Sequence, residues 1–150
     1  MAGLYLNVTS GEFALTANTA QSLQVKAPAN QRLVIRGIRI FGKSAAGGTD
    51  VPVKVRMTQS SANFGSGSAA VVGKNNQIDP ETAQGTYTLL TTEPTSPTDG
   101  GIEWEVQPQS GIIEFLAPKL EIPVPGGKAV NFQFTSVATP TMTITLAVEE

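Results

Sequence analysis

Glu103 and Glu105, in Ile102-Glu103-Trp104-Glu105-Val106-Gln107, have the spacing closest to a catalytic pair in this chain. On a β-strand, residues two apart share a face and stand about 7 Å from each other. Carboxylates roughly 5–9 Å apart are what glycoside hydrolysis uses, one as acid and one as nucleophile or base. That chemistry also needs a cleft, one desolvated carboxyl and aromatic rings to hold the sugar. The chain has one Trp and two Tyr, and strand alternation turns Trp104 inward. An ordinary solvated strand face outweighs the catalytic reading.

Other constellations are weaker. Calcium needs several convergent oxygens, but Asp50, Asp79 and Asp99 lie in separate turns. Asp50 and Asp99 sit among glycines, and Asp79 precedes Pro80. A calcium site would require those loops to converge at one end of the fold. Thr98-Asp99-Gly100 reverses the aspartic-protease order and has no second copy. Gly65-Ser66-Gly67 follows no strand-to-helix junction, so it does not read as a phosphate cradle. Asn7-Val8-Thr9 has the form of a glycosylation acceptor. The start, Met1-Ala2-Gly3-Leu4-Tyr5-Leu6-Asn7, lacks the basic region and long apolar run of a secretory signal. The expectation is no metal and no cofactor.

Charge gives a stronger signal. The four arginines, Arg32, Arg36, Arg39 and Arg56, fall within residues 32–56. On neighbouring strands they would form a ladder on the polar face, and arginine favours bidentate carboxylate pairing. The acidic strand around Glu103, Glu105 and Glu114 is a natural partner, within the chain or on another subunit. Nucleic acid is a third reading, disfavoured by a net charge of −2. That figure hides an imbalance. Residues 1–75 hold eight bases and two acids, and residues 76–150 hold two bases and ten acids. Either neighbouring strands pair these charges on a solvated face, or patches of opposite sign steer subunits together.

Composition bounds the rest. With no cysteine and no histidine, the chain can build no disulfide, thiol nucleophile, cysteine zinc site or Ser-His-Asp triad. Its 150 residues suit one domain, and 40% hydrophobic content is enough for a core. No stretch approaches the roughly 20 apolar residues of a membrane helix. The 15 glycines and 10 prolines punctuate short alternating runs, and alternation is the β period.

The clearest run is Val51–Thr58, with Val51, Val53, Val55 and Met57 on one face. Pro52 suits an edge strand or a strand beginning. Ile102, Trp104 and Val106 repeat the pattern, as do Leu120, Ile122 and Val124, then Val130, Phe132 and Phe134. Met142, Ile144, Leu146 and Val148 close the chain against an outer face of threonines. In Arg32–Phe41 the pattern changes phase between Ile35 and Ile38. A bulge at Arg36-Gly37 would restore one buried face and keep Arg32, Arg36 and Arg39 on the polar side. Weaker strands are expected at Leu4–Val8, Glu12–Thr16, Ser22–Lys26, Tyr87–Thr92 and Ile112–Leu116.

Ser60–Pro80 reads as a long loop with one short strand at Ala70–Val72, and Pro80–Gln84 could form one helical turn after Asp79. Together these predict an all-β antiparallel sandwich or jelly-roll-like domain of about eight to ten strands with no substantial helix. Residues 13–150 form the domain. Residues 1–12 are either a strand of its own sheet, an edge strand, or an arm that reaches a neighbour by adding to its sheet.

Several segments are similar to a known group. Ala14-Leu15-Thr16-Ala17, Leu23-Gln24-Val25 and Ala27-Pro28-Ala29-Asn30-Gln31-Arg32 resemble the opening of small virion-associated proteins encoded near the head genes of tailed bacteriophages. The similarity returns at Glu93-Pro94-Thr95, at Glu105-Val106-Gln107-Pro108-Gln109-Ser110-Gly111, at Val124-Pro125-Gly126-Gly127 and at Glu149-Glu150. It spans most of residues 14–150. The resemblance implies a non-enzymatic capsid decoration (cement) protein on the capsid exterior, assembled in the host cytoplasm. Its partners would be itself, as a homotrimer, and the major capsid protein, with no nucleic acid and no membrane. The alternative is a phage tail, fibre or carbohydrate-binding module. Candidate contact residues are Leu4, Tyr5, Leu6, Arg32, Arg36, Arg39, Arg56, Glu103 and Glu105.

Overall fold

A computed structural model describes residues 3–44, 50–76, 78, 80–117 and 120–150. Among them are thirteen strands in two antiparallel sheets. The first sheet runs β10 (Ile112–Phe115), β4 (Leu33–Lys43), β13 (Thr141–Glu149), β1 (Tyr5–Thr9) and β7 (Val71–Lys74). Two short strands extend it: β11 (Ile122–Val124) on β4 and β2 (Phe13–Ala14) on β13. The second sheet runs β6 (Ser66–Ala69), β8 (Thr86–Thr92), β3 (Gln21–Lys26), β12 (Ala129–Thr135), β5 (Val53–Ser60) and β9 (Thr98–Val106). The sheets pack face to face as a β-sandwich.

Alternation explains the core. Leu23, Val25, Val53, Val55, Phe132 and Phe134 of the second sheet are buried against Leu33, Ile35, Met142, Ile144, Leu146 and Val148 of the first. Phe13 meets Phe134 edge-on at 5.2 Å between ring centres, a favoured aromatic geometry. At one end Glu150 joins the sheets. Its Oε1 accepts from the Tyr87 hydroxyl at 2.6 Å and from the Gly85 N–H at 2.9 Å. Burial, and then this bond to a carboxylate, push the Tyr87 phenol above its ordinary pKa.

The phase change in β4 is a bulge at the expected place. Ala147 pairs with Gly37 and Val148 with Ile35, so Arg36 has no opposite residue. Leu33, Ile35, Ile38 and Ile40 are all buried as a result, while Arg32 and Arg39 are exposed and Arg36 half-exposed.

Other expectations need correction. The first segment is neither an arm nor an edge, because β1 lies between β13 and β7. Ser60–Pro80 contains β6 and β7, and Ala70 between them passes the chain from one sheet to the other. β6, Ser-Gly-Ser-Ala, has no large apolar side chain to alternate, and β7, Val-Val-Gly-Lys, sets its two valines on opposite faces. A Cβ on Gly67 would come within 2.0 Å of the Leu89 carbonyl oxygen, so only glycine permits that approach. Pro80–Gln84 is irregular rather than helical, and Asp79 lies outside the described residues. Pro52 marks a strand beginning, not an edge, since β5 lies between β12 and β9.

Ile102 is 37% exposed and lies outside the core cluster. Met57 faces a three-residue bulge, Gly100-Gly101-Ile102, with Gly101 at φ +73°. Leu120 is exposed in the connection before β11. Phe132→Ala should lower the unfolding free energy by about 3–5 kcal/mol, and Ile102→Ala by less than about 0.5 kcal/mol. Urea unfolding of both variants measures this; equal costs would contradict the placement of Ile102.

Candidate interaction surface

β9 and β10 end their respective sheets on the same side of the sandwich, so one lateral flank presents two open edges. The five-residue turn Gln107–Gly111 joins them. It is pinned where the Gly42 N–H donates to the Pro108 carbonyl at 2.8 Å and the Gly111 N–H to the Gln107 carbonyl at 2.9 Å. Across the gap between the sheets, Trp104 Nε1 donates to Glu114 Oε2 at 2.8 Å. The indole packs inward toward Phe132, with 6.2 Å between ring centres. Trp104 therefore points inward, as its strand parity indicates, and is half-buried at the flank.

Large apolar side chains gather here. Phe115 is 80% exposed, Leu120 69% and Ile113 56%, with Phe41 and Ile102 less so. Beside them the outer face of the first sheet carries a groove of about 260 Å³. Gly37 and Ala147 leave its floor open; a Cβ on Gly37 would lie 3.4 Å from the Ala147 Cβ. Phe115, Ile113, Arg39 and Asn7 form its walls.

The arginines do not form one ladder. β4 and β5 belong to different sheets, so Arg36 and Arg39 face one side of the molecule and Arg56 the other. Arg36 binds Glu121 and Glu149. Arg56 binds Asp99, and Lys54 binds Glu103 at 3.2 Å. Arg39 stands near the Phe41 ring, 6.0 Å from its centre, in no ion pair among the described residues. Arg32 is exposed just before β4. Glu105, opposite Lys54 in register, is in no ion pair among the described residues. Glu114 serves Trp104 instead of an arginine.

Leu4 and Leu6 are buried in the core and are withdrawn as contacts; Tyr5, opposite Glu149, remains exposed. Glu103 and Glu105 are both exposed, so neither is the desolvated acid that glycoside hydrolysis requires. Asp50 accepts from the Ser44 hydroxyl at 3.0 Å. Among the described residues no three His, Cys, Asp or Glu groups are placed to hold a metal ion.

Sequence reasoning missed Phe115, Ile113 and Phe41. The available signal was Ile112-Ile113 and Phe115-Leu116, apolar on both strand faces and so not an ordinary half-solvated strand. It also missed a polar cluster over the second sheet. Asn131 Nδ2 donates to Thr58 Oγ1 at 3.1 Å and to Ser60 Oγ at 3.0 Å, and Gln24 Nε2 donates to Asn131 Oδ1 at 2.7 Å. The Phe64 carbonyl also accepts from Gln24, so this cluster is satisfied internally.

No family model, no curated protein and no solved structure matches this chain.

The hydrogen bond from Arg56, helped by the Gly101 N–H, holds the Asp99 carboxyl below its ordinary pKa. The stabilisation is therefore present above the unfolded value of about 3.9 and is lost as pH falls through the lower folded value. Carboxyl NMR titration should place Asp99 below that ordinary value, and Arg56→Gln should raise it. An unchanged midpoint in Arg56→Gln would contradict the pairing.

Proposed function

We propose that this protein is a non-enzymatic structural component of a bacteriophage virion. In this reading it decorates the outside of the assembled capsid, with the major capsid protein and other copies of itself as partners. The sequence resemblance supplies the virion context and implies a trimer. The observation that carries the reading is the β9–β10 flank, where Phe115, Ile113 and Leu120 are exposed beside charged side chains. Contiguous exposed apolar side chains rimmed by polar groups are characteristic of protein contact surfaces. One observation favours the carbohydrate-binding alternative: Phe115 walls a groove that also holds Arg39 and Asn7.

Co-sedimentation tests the choice. The protein should pellet with expanded capsid shells and not with free coat subunits. Phe115→Ser should weaken shell binding by about tenfold, as expected for loss of an aromatic anchor. Glycan-array binding without shell binding would overturn decoration in favour of the carbohydrate module.

A further inference from the structure

Beside the β9–β10 flank, Arg39 and Glu105 face outward in no ion pair among the described residues, while Glu114 of β10 is turned inward to Trp104. At the first sheet, Arg36 is engaged by Glu121 and Glu149, and Arg39 is left. At the second, Asp99 is engaged by Arg56 and Glu103 by Lys54, and Glu105 is left. Arg39 and Glu105 face outward from opposite sheets, so they do not meet within one molecule.

A second copy brings them together. A two-fold axis parallel to the strands sets the first sheet of one protomer beside the second sheet of its partner. It also preserves height along the strands. β9 and β10 run in opposite directions, because the Gln107–Gly111 turn reverses the chain between the sheets. β10 then meets the partner's β9 antiparallel, and β9 meets the partner's β10 in the same way, an isologous contact made by edge pairing.

The heights agree. The Trp104–Glu114 hydrogen bond of 2.8 Å makes those two positions level. Glu105 follows Trp104, and Arg39 stands opposite Ile113, the neighbour of Glu114. Arg39 of each copy therefore comes level with Glu105 of the other.

The competing symmetric joints carry the wrong charges. Joining the two first sheets brings only a second Arg39, across two edge strands, and among the described residues no unpaired outer-face acid toward Arg39. Joining the two second sheets sets Glu103 and Glu105 beside theirs, and like charges across strands repel. β10 is short and turns Glu114 inward, and β9 carries a glycine bulge, but that bulge lies outside the Glu103–Val106 stretch level with β10, where Ile113 and Phe115 stand exposed.

We infer that the protein forms a two-fold dimer by reciprocal β10–β9 pairing, with Arg39 and Glu105 as partners across the interface. The inference takes self-association from the proposed function, replaces the implied trimer with a dimer, and does not rest on shell binding.

Sedimentation equilibrium of the full chain tests it. The dimer should weaken at high salt. Arg39→Glu and Glu105→Arg should each loosen it about tenfold or more, and the double reversal should restore it to within about threefold. Phe115→Lys, which places a charge on the exposed edge, should also weaken it, with circular dichroism confirming the fold of every variant. A trimer, a dimer indifferent to both reversals, or a double reversal no tighter than the singles overturns the inference. A chain that stays monomeric yet binds shells overturns it and leaves decoration standing. A dimer that responds to the reversals but ignores shells supports it and overturns decoration.

Discussion

The bulge at Arg36 is the constraint on which the rest of the sandwich depends. β4 is the longest strand, and its apolar residues change parity at Arg36-Gly37. One unpaired residue puts Leu33, Ile35, Ile38 and Ile40 on the same buried face. Without it, a one-residue slip would turn Ile38 and Ile40 to water. Burying each such side chain contributes about 1.5–3 kcal/mol, so the pair rivals the few kcal/mol by which a domain is stable. The bulge also organises the flank. The Arg36 carbonyl accepts from the Leu116 N–H at 2.9 Å. That bond seats the connection leaving β10, so β10 and β11 share one edge of β4 on either side of the bulge.

Alternation made the inner strands legible. β4, β5, β12 and β13 bury the faces their sequences indicate, and even the bulge could be located, because a parity change in an apolar run has few other solutions. What stayed hidden depends on the backbone or on long-range order. β6 and β7 carry no alternating signal, since β6 is built of small residues and β7 has adjacent exposed valines. Ile102 looked inward because the glycine bulge before it has no periodic signature. The arginine ladder failed for a different reason. Nearness in sequence does not say which sheet a strand joins, and β4 and β5 join different ones. Arg56 and Glu103 were rightly seen as exposed, and their register is adjacent, but the actual pairs are Arg56 with Asp99 and Lys54 with Glu103. Leu4 and Leu6 were misread because apolar residues on both faces at a chain end fit a reaching arm as well as an inner strand.

The charge asymmetry between the two halves is resolved mostly inside the molecule. Bases from the first half meet acids from the second at Arg36–Glu121, Arg36–Glu149, Lys54–Glu103 and Arg56–Asp99. These pairs are partly exposed and modest in energy. They leave Arg39 and Glu105 in no ion pair among the described residues, beside two neighbouring open edges. A sandwich alone says nothing about function, because the same architecture serves many tasks. The functional reading rests on the flank, where strand edges, exposed apolar side chains and unmatched charge coincide.

Hydrogen–deuterium exchange compared between dilute and concentrated protein tests most directly whether the β9–β10 flank is the contact surface. Amides of β9 and β10 should exchange more slowly as concentration rises, while those of β6 and β7 on the opposite flank stay unchanged. Exchange independent of concentration, or protection confined to β6 and β7, would contradict the account.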